Sequence, residues 1–237
     1  MVTVAAVPRT EPTAKAWRQA LAMLAVLWVV LGGLNFGVLA QLLASRLGSD
    51  LAFAALLLSS GFALSLAVVV AGIIVWQRAH GETLADLGWR RPTTHLAVGL
   101  GVVYGVAWAA LSYARGGNPL DLAWERWPLL LLGIFLAFGE ELAVRGFVME
   151  HLQRGGVPTW VQILVSAVGM GSYHGVLGSH YSVGYALAST VLFGLVSLLF
   201  VLGKRSLTPG LVAHALTHVL ADPTLTEGIL RGVVALS

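Results

Sequence analysis

From Leu21 to Leu43, and again from Leu51 to Trp76, this chain carries no charged residue. Runs of that length match the roughly 20 apolar residues that a helix needs to cross a bilayer. In hydrocarbon every backbone N–H and C=O must be paired within the structure, and a helix does this inside a single segment. Five further predominantly apolar stretches follow, at about 96–113, 127–154, 159–177, 183–202 and 208–222. The expected fold is all-α: a polytopic transmembrane bundle of seven spanning helices, or eight if 224–237 also spans. Charged residues make up 11% of the chain, against about a quarter in soluble domains. No repeat or linker divides it, so 1–237 reads as one integral membrane domain. The basic residues are scattered near helix ends, which favours membrane lipids as partners and not nucleic acid. Cysteine is absent, so disulfides and thiol catalysis are excluded.

The connections carry their own signals. The first apolar run is too long for a signal-peptide core and reads as a retained helix. Within the polar stretch 77–92, Leu84, Leu87 and Trp89 suggest a short interfacial helix. Gly155 to Pro158 stops the fourth helix, and Pro209 lies in the first turn of the seventh. Asn35 stands among Gly32, Gly33 and Gly37, a pattern for close helix packing with a polar side chain bonded across. With the N-terminus inside, the cytoplasmic segments hold Arg9, Lys15, Arg18, Arg78, Arg90, Arg91, Arg154, Lys204 and Arg205. The outer ones hold Arg46, Arg115, Arg126 and Arg231. The excess of basic residues predicts a cytoplasmic N-terminus, in the cell membrane.

Against this background two adjacent carboxylates, Glu140 and Glu141, interrupt an apolar run. A charge at the centre of a membrane helix costs about 2.5–3.5 kcal/mol on insertion scales. Glu141 and Arg145 are spaced i,i+4 and can pair on one helix face, which on its own gives both a structural purpose. Glu140 points about 100° away and needs a partner from another helix. The other polar groups in apolar surroundings are His174, His214, His218 and Asp222. His214 and His218 are i,i+4, as are His218 and Asp222, so Asp222 is a candidate for fixing the His218 ring. His80, His95 and His151 read as loop or helix-end residues, and His180 as a headgroup contact.

These residue types suit hydrolysis of an amide. A base must activate water, and donors must stabilise the oxyanion. Glu140 fits the base, His174 can share the water, and His214 and His218 can donate. The same types also admit zinc, held by Glu140, His174, His214 and His218, although the His-Glu-x-x-His signature is absent. Two other classes stay open: a proton-coupled transporter, against which the lack of a repeat counts, and a membrane scaffold that binds a partner in the same cavity. Counted along helices of equal span, Glu140 and His214 fall in the cytoplasmic half of the bilayer and His174 nearer the outer half. The cavity is expected to open toward the cytoplasm.

Glu140-Glu141-x-x-x-Arg145, His174 at the end of the fifth helix, and Ser206-Leu-Thr-Pro-Gly-Leu-Val-Ala-His214-Ala-Leu-Thr-His218 resemble, together and in this order, the CPBP family. This is the CAAX protease and bacteriocin-processing group, also called the abortive-infection family. The similarity spans about 84–222. It implies an intramembrane endopeptidase acting on a peptide or protein substrate near the membrane, lipid-modified in some members, or a self-immunity protein of the same fold. By motif position it implies Glu140 as base, His174 assisting the water, and Glu141 and Arg145 completing the first motif. His214 and the residue four positions later would bind the oxyanion. Two positions depart from the family's pattern: Met170 replaces a phenylalanine, and His218 replaces an asparagine.

Overall fold

The computed structural model describes residues 12–47, 50–90, 94–114, 126–221 and 228–231, with Val233 and Ala235. Among these residues the apolar runs become seven rods. They are α1 (Thr13–Leu47), α2 (Leu51–Ala79), α3 (His95–Ala114), α4 (126–154), α5 (Thr159–His174), α6 (Val183–Leu202) and α7 (Leu207–Ala221). Four of them, α1, α2, α4 and α6, are long and apolar enough to cross a membrane, while α3 and α7 are shorter apolar helices. The all-α membrane bundle expected from the sequence is thus the observed architecture.

Alternating directions follow from the short connections. Thr13 donates to Gly155 O at 2.8 Å, so the start of α1 lies beside the end of α4. At the opposite end the backbone N–H of Gly178 donates to Phe36 O at 2.9 Å. Gly178 belongs to a small hairpin, β1 (Val176–Leu177) against β2 (His180–Tyr181), between α5 and α6. These two points name the ends of the bundle: the Gly155 end and the hairpin end. Exposed aromatics mark both, Trp89 and Trp160 at the first, Tyr113, Trp127 and Tyr181 at the second, as expected for membrane interfaces.

Packing follows the small residues. On α3, Gly101 and Gly105 lie one turn apart against α7; a Cβ on Gly101 would reach 2.6 Å from Pro209 O, and one on Gly105 would run into Leu216 Cβ. Close approach of this kind replaces the hydrophobic driving force that lipid cannot supply. Asn35 bonds across to Ser65 on α2 at 2.9 Å and also donates to Val30 O at 2.7 Å, as its glycine-rich surroundings suggested.

The structure adds detail that the sequence did not carry. The interfacial segment is a single 3₁₀ turn, Leu84–Leu87, with Leu87 fully buried, rather than an exposed amphipathic helix. His151 lies in the last turn of its helix, as expected, but it is fully buried, bonded to Phe147 O at 2.7 Å and stacked on the Phe147 ring. In α4, Leu142–Met149 winds as a π-helix between two α-helical stretches, as does Trp28–Leu39 in α1. Such segments often sit at functional sites. Asp222 and the rest of 222–227 lie outside the described residues.

Candidate active site

At the Gly155 end Arg205 ties three helices to one level. Its guanidinium donates to Glu150 Oε1 (3.0 Å) and Met149 O (2.8 Å) on α4, and to Gln162 Oε1 (3.0 Å) on α5. Burial draws the Arg205 pKa down from its usual value, and the Glu150 carboxylate opposes the shift. From this level Glu140 lies ten residues along α4, His174 twelve along α5, and His214 nine along the α7 side. At 1.5 Å per residue those are similar heights, about 14–18 Å into the bundle. The separation of His174 from the other two, expected from equal spans, is therefore wrong. Helix α4 continues four residues past Glu150, so depth is counted from the Arg205 level and not from the helix end.

Glu141 and Arg145 form the pair their spacing suggested, Nη1 to Oε1 at 3.0 Å, and both are buried, 1% and 0% exposed. Arg145 also donates to Phe193 O (2.8 Å), Ser197 Oγ (3.3 Å) and Met170 Sδ (2.8 Å). Methionine at position 170 thus acts as an acceptor as well as filling space. The same Glu141 Oε1 lies 3.1 Å from His214 Nδ1. A carboxylate paired with arginine is an acceptor, so His214 Nδ1 carries a hydrogen and donates it. Gly210 faces Glu141: a Cβ there would stand 2.7 Å from Oε2, which accounts for a glycine one turn before His214.

Glu140 is held differently. Tyr173, fully buried, donates its hydroxyl to Glu140 Oε1 at 2.8 Å. Glu140 Oε2 lies 3.4 Å from His214 Nε2. With Nδ1–H committed to Glu141, Nε2 and Oε2 would both present lone pairs, so a proton is needed between them. His174 Nδ1 lies 2.8 Å from Met170 O. The carbonyl can only accept, so Nδ1 carries the hydrogen, and the Nε2 lone pair of the neutral ring is left to accept. His218 stacks on His214, ring centroids 5.0 Å apart.

Glu140, His174, His214 and His218 all line one cavity of about 300 Å³. Its remaining walls are largely apolar and aromatic, including Phe62, Trp108 and Phe193. Glu141 and Arg145 do not line it; they stand behind His214 and orient it. Tyr173 was missed by sequence reasoning. The available signal was a hydroxyl-bearing aromatic beside His174, since a buried tyrosine hydroxyl usually needs a partner. Among the described residues no three His, Asp or Glu side chains are arranged to hold a metal ion.

An all-α bundle with membrane-length apolar helices and a buried carboxylate–imidazole centre on an apolar cavity defines an integral membrane protein built around a polar site. Residues 122–220, which carry Glu140, Glu141, Arg145, Tyr173, His174, His214 and His218, match the model of the type II CAAX prenyl endopeptidase Rce1-like family. Searches of curated proteins and of solved structures return no match.

Proposed function

We propose that this protein is an intramembrane endopeptidase that hydrolyses a peptide bond with a water activated by Glu140. The observation that carries the reading is the asymmetry of Glu140: one oxygen is fixed by Tyr173, and the other faces His214. The family match supports the same class of activity. Glu140 Oε2 takes a proton from water as the water oxygen bonds to the carbonyl carbon. The His174 Nε2 lone pair accepts from the water's second hydrogen and fixes its direction. The carbonyl electron pair moves to oxygen, and this oxyanion is met by His214, with the proton on Nε2, and by His218. Collapse breaks the C–N bond, and Glu140 returns its proton to the departing amine. Arg145 and Glu141 keep the His214 ring in place throughout.

The test is hydrolysis of apolar membrane-inserting peptides by purified protein in vesicles, in water enriched in ¹⁸O. One heavy oxygen is expected in the new carboxylate, and no product is expected from Glu140→Gln. Equal cleavage by both proteins would overturn Glu140 as base. No cleavage of any peptide by the wild type would favour a binding scaffold of the same fold.

A further inference from the structure

In the proposed reaction His174 directs the water, so the aim of its Nε2 lone pair matters as much as its presence. One hydrogen bond, from Nδ1 to Met170 O at 2.8 Å, pins a single point of the ring. It leaves the ring free to tilt about that point. Contact with other rings limits the tilt. Tyr173 stacks on His174 with centroids 4.5 Å apart, Phe193 meets it tilted at 4.7 Å, and Phe36 meets it tilted at 5.4 Å. Tyr173 and Phe193 lie within the segment that matches the family model. Phe36 does not: it comes from α1, and it lines the same cavity as His174.

Phe36 is itself held in place. It is 5% exposed. The Phe62 ring of α2 packs on it in a T-shape, centroids 4.5 Å apart, and Phe36 stacks with Tyr173 at 6.4 Å. Its backbone carbonyl accepts from the Gly178 N–H at 2.9 Å. Its neighbour Asn35 is bonded to Ser65 of α2 and to Val30 O. One turn earlier Gly32 lies against Tyr173, where a Cβ would stand 2.9 Å from Tyr173 Cβ. A side chain at 32 would push α1 away from Tyr173 and His174. Gly32, Asn35 and Phe36 all fall in the π-helical part of α1.

We propose that Phe36 is a positioning residue for the hydrolytic reaction: its ring, with those of Tyr173 and Phe193, holds the His174 imidazole so that Nε2 faces the water beside Glu140. The reacting groups stay those of α4, α5 and α7, and α1 supplies a ring that keeps one of them aimed. The effect on catalysis rests on the peptidase reading; the ring contacts do not. Aromatic pairs prefer defined offset or edge-to-face arrangements, so a ring holds an orientation that an aliphatic side chain does not. Misplacing a catalytic group by about 1 Å costs up to about 10²-fold in rate.

Phe36→Leu keeps an apolar side chain and removes the ring. In the vesicle assay its kcat should fall about tenfold with KM within about twofold. Phe36→Tyr keeps the ring and should stay near wild type. Leu31→Ala is the control for a merely structural role. Leu31 lies on the same helix, is fully buried and does not line the cavity, so this variant should melt lower and keep wild-type kcat per folded molecule. Full-length protein in micelles, with ¹³C-labelled histidine, gives a readout independent of activity. The His174 ring signal, assigned by its loss in His174→Gln, should move in Phe36→Leu as a ring current is withdrawn, while that of His80 stays in place. Phe36→Met repeats the test should Phe36→Leu not accumulate. A raised KM with kcat intact would make Phe36 a wall of the cavity only and overturn the proposal. So would an equal loss of kcat in Leu31→Ala, or a Phe36→Tyr protein as slow as Phe36→Leu. If the wild type cleaves no peptide while the His174 signal still moves, the peptidase reading fails and the positioning of His174 stands. If wild type and Phe36→Leu cleave alike with the signal unmoved, the positioning falls and the peptidase reading stands.

Discussion

Two polar clusters interrupt this apolar bundle, and they are built to different rules. Around Arg205 the donors are committed to fixed partners: Glu150, Gln162, Met149 O and, at 3.4 Å, Gln153. None of these residues lines the cavity of the site. Around Glu140 the groups are held by one atom and present another: Glu140 through Oε1, His174 and His214 through Nδ1, each leaving its second atom toward the cavity. Both clusters carry the desolvation cost of charge in an apolar setting. Only the second keeps reactive atoms available. Burial of charge alone therefore does not identify a site; the uncommitted second atom does.

Arg145→Ala should break the support beneath the second cluster and have the largest effect. It strands Glu141 in the interior, a loss of about 3–5 kcal/mol for a broken buried pair. Thermal unfolding in detergent should show it, with little folded protein recovered.

His218 sharpens the comparison from the cavity side. If His218 only donates to the oxyanion, His218→Asn should keep most of the activity and His218→Ala should lose about 10²–10³-fold in kcat. A chelator should leave both the wild type and His218→Asn unaffected. Stoichiometric zinc lost together with activity in His218→Asn would make His218 a ligand instead.

Tyr173→Phe removes the hydroxyl that fixes Glu140 Oε1. One hydrogen bond to a charged group is worth about 1.5–3 kcal/mol, so kcat should fall by about tenfold or more while KM is unchanged. A rise in KM with kcat intact would mean that Tyr173 shapes the pocket and does not position the base. Met170→Leu is the mildest change: it keeps the volume and removes the sulfur acceptor of Arg145, costing about 1 kcal/mol in stability with activity per folded molecule preserved.

Much of this was legible in the chain. Apolar run lengths gave the seven helices because a membrane span leaves few alternatives. The Glu141–Arg145 pair followed from its i,i+4 spacing, and His214 and His218 share a face for the same reason. What was not legible depends on partners distant in sequence. Tyr173 meets Glu140 across 33 positions, and Arg205 meets Glu150 across 55, with no local period to announce either. The relative depth of His174 was misjudged because the Arg205 level, the true reference, is itself such a long-range contact.

The most direct test makes one substitution in each cluster. Glu140→Gln and Glu150→Gln change the same atoms, one in the site and one in the clasp. Activity per folded molecule and melting temperature would be measured for both in the same purified preparation. Glu140→Gln should lose at least about 10³-fold in kcat with its melting temperature nearly unchanged, and Glu150→Gln should melt lower while its folded fraction keeps near wild-type kcat. A Glu140→Gln protein that cleaves normally, or a Glu150→Gln protein that stays folded and loses catalysis to the same degree, would contradict the assignment of Glu140 as the base.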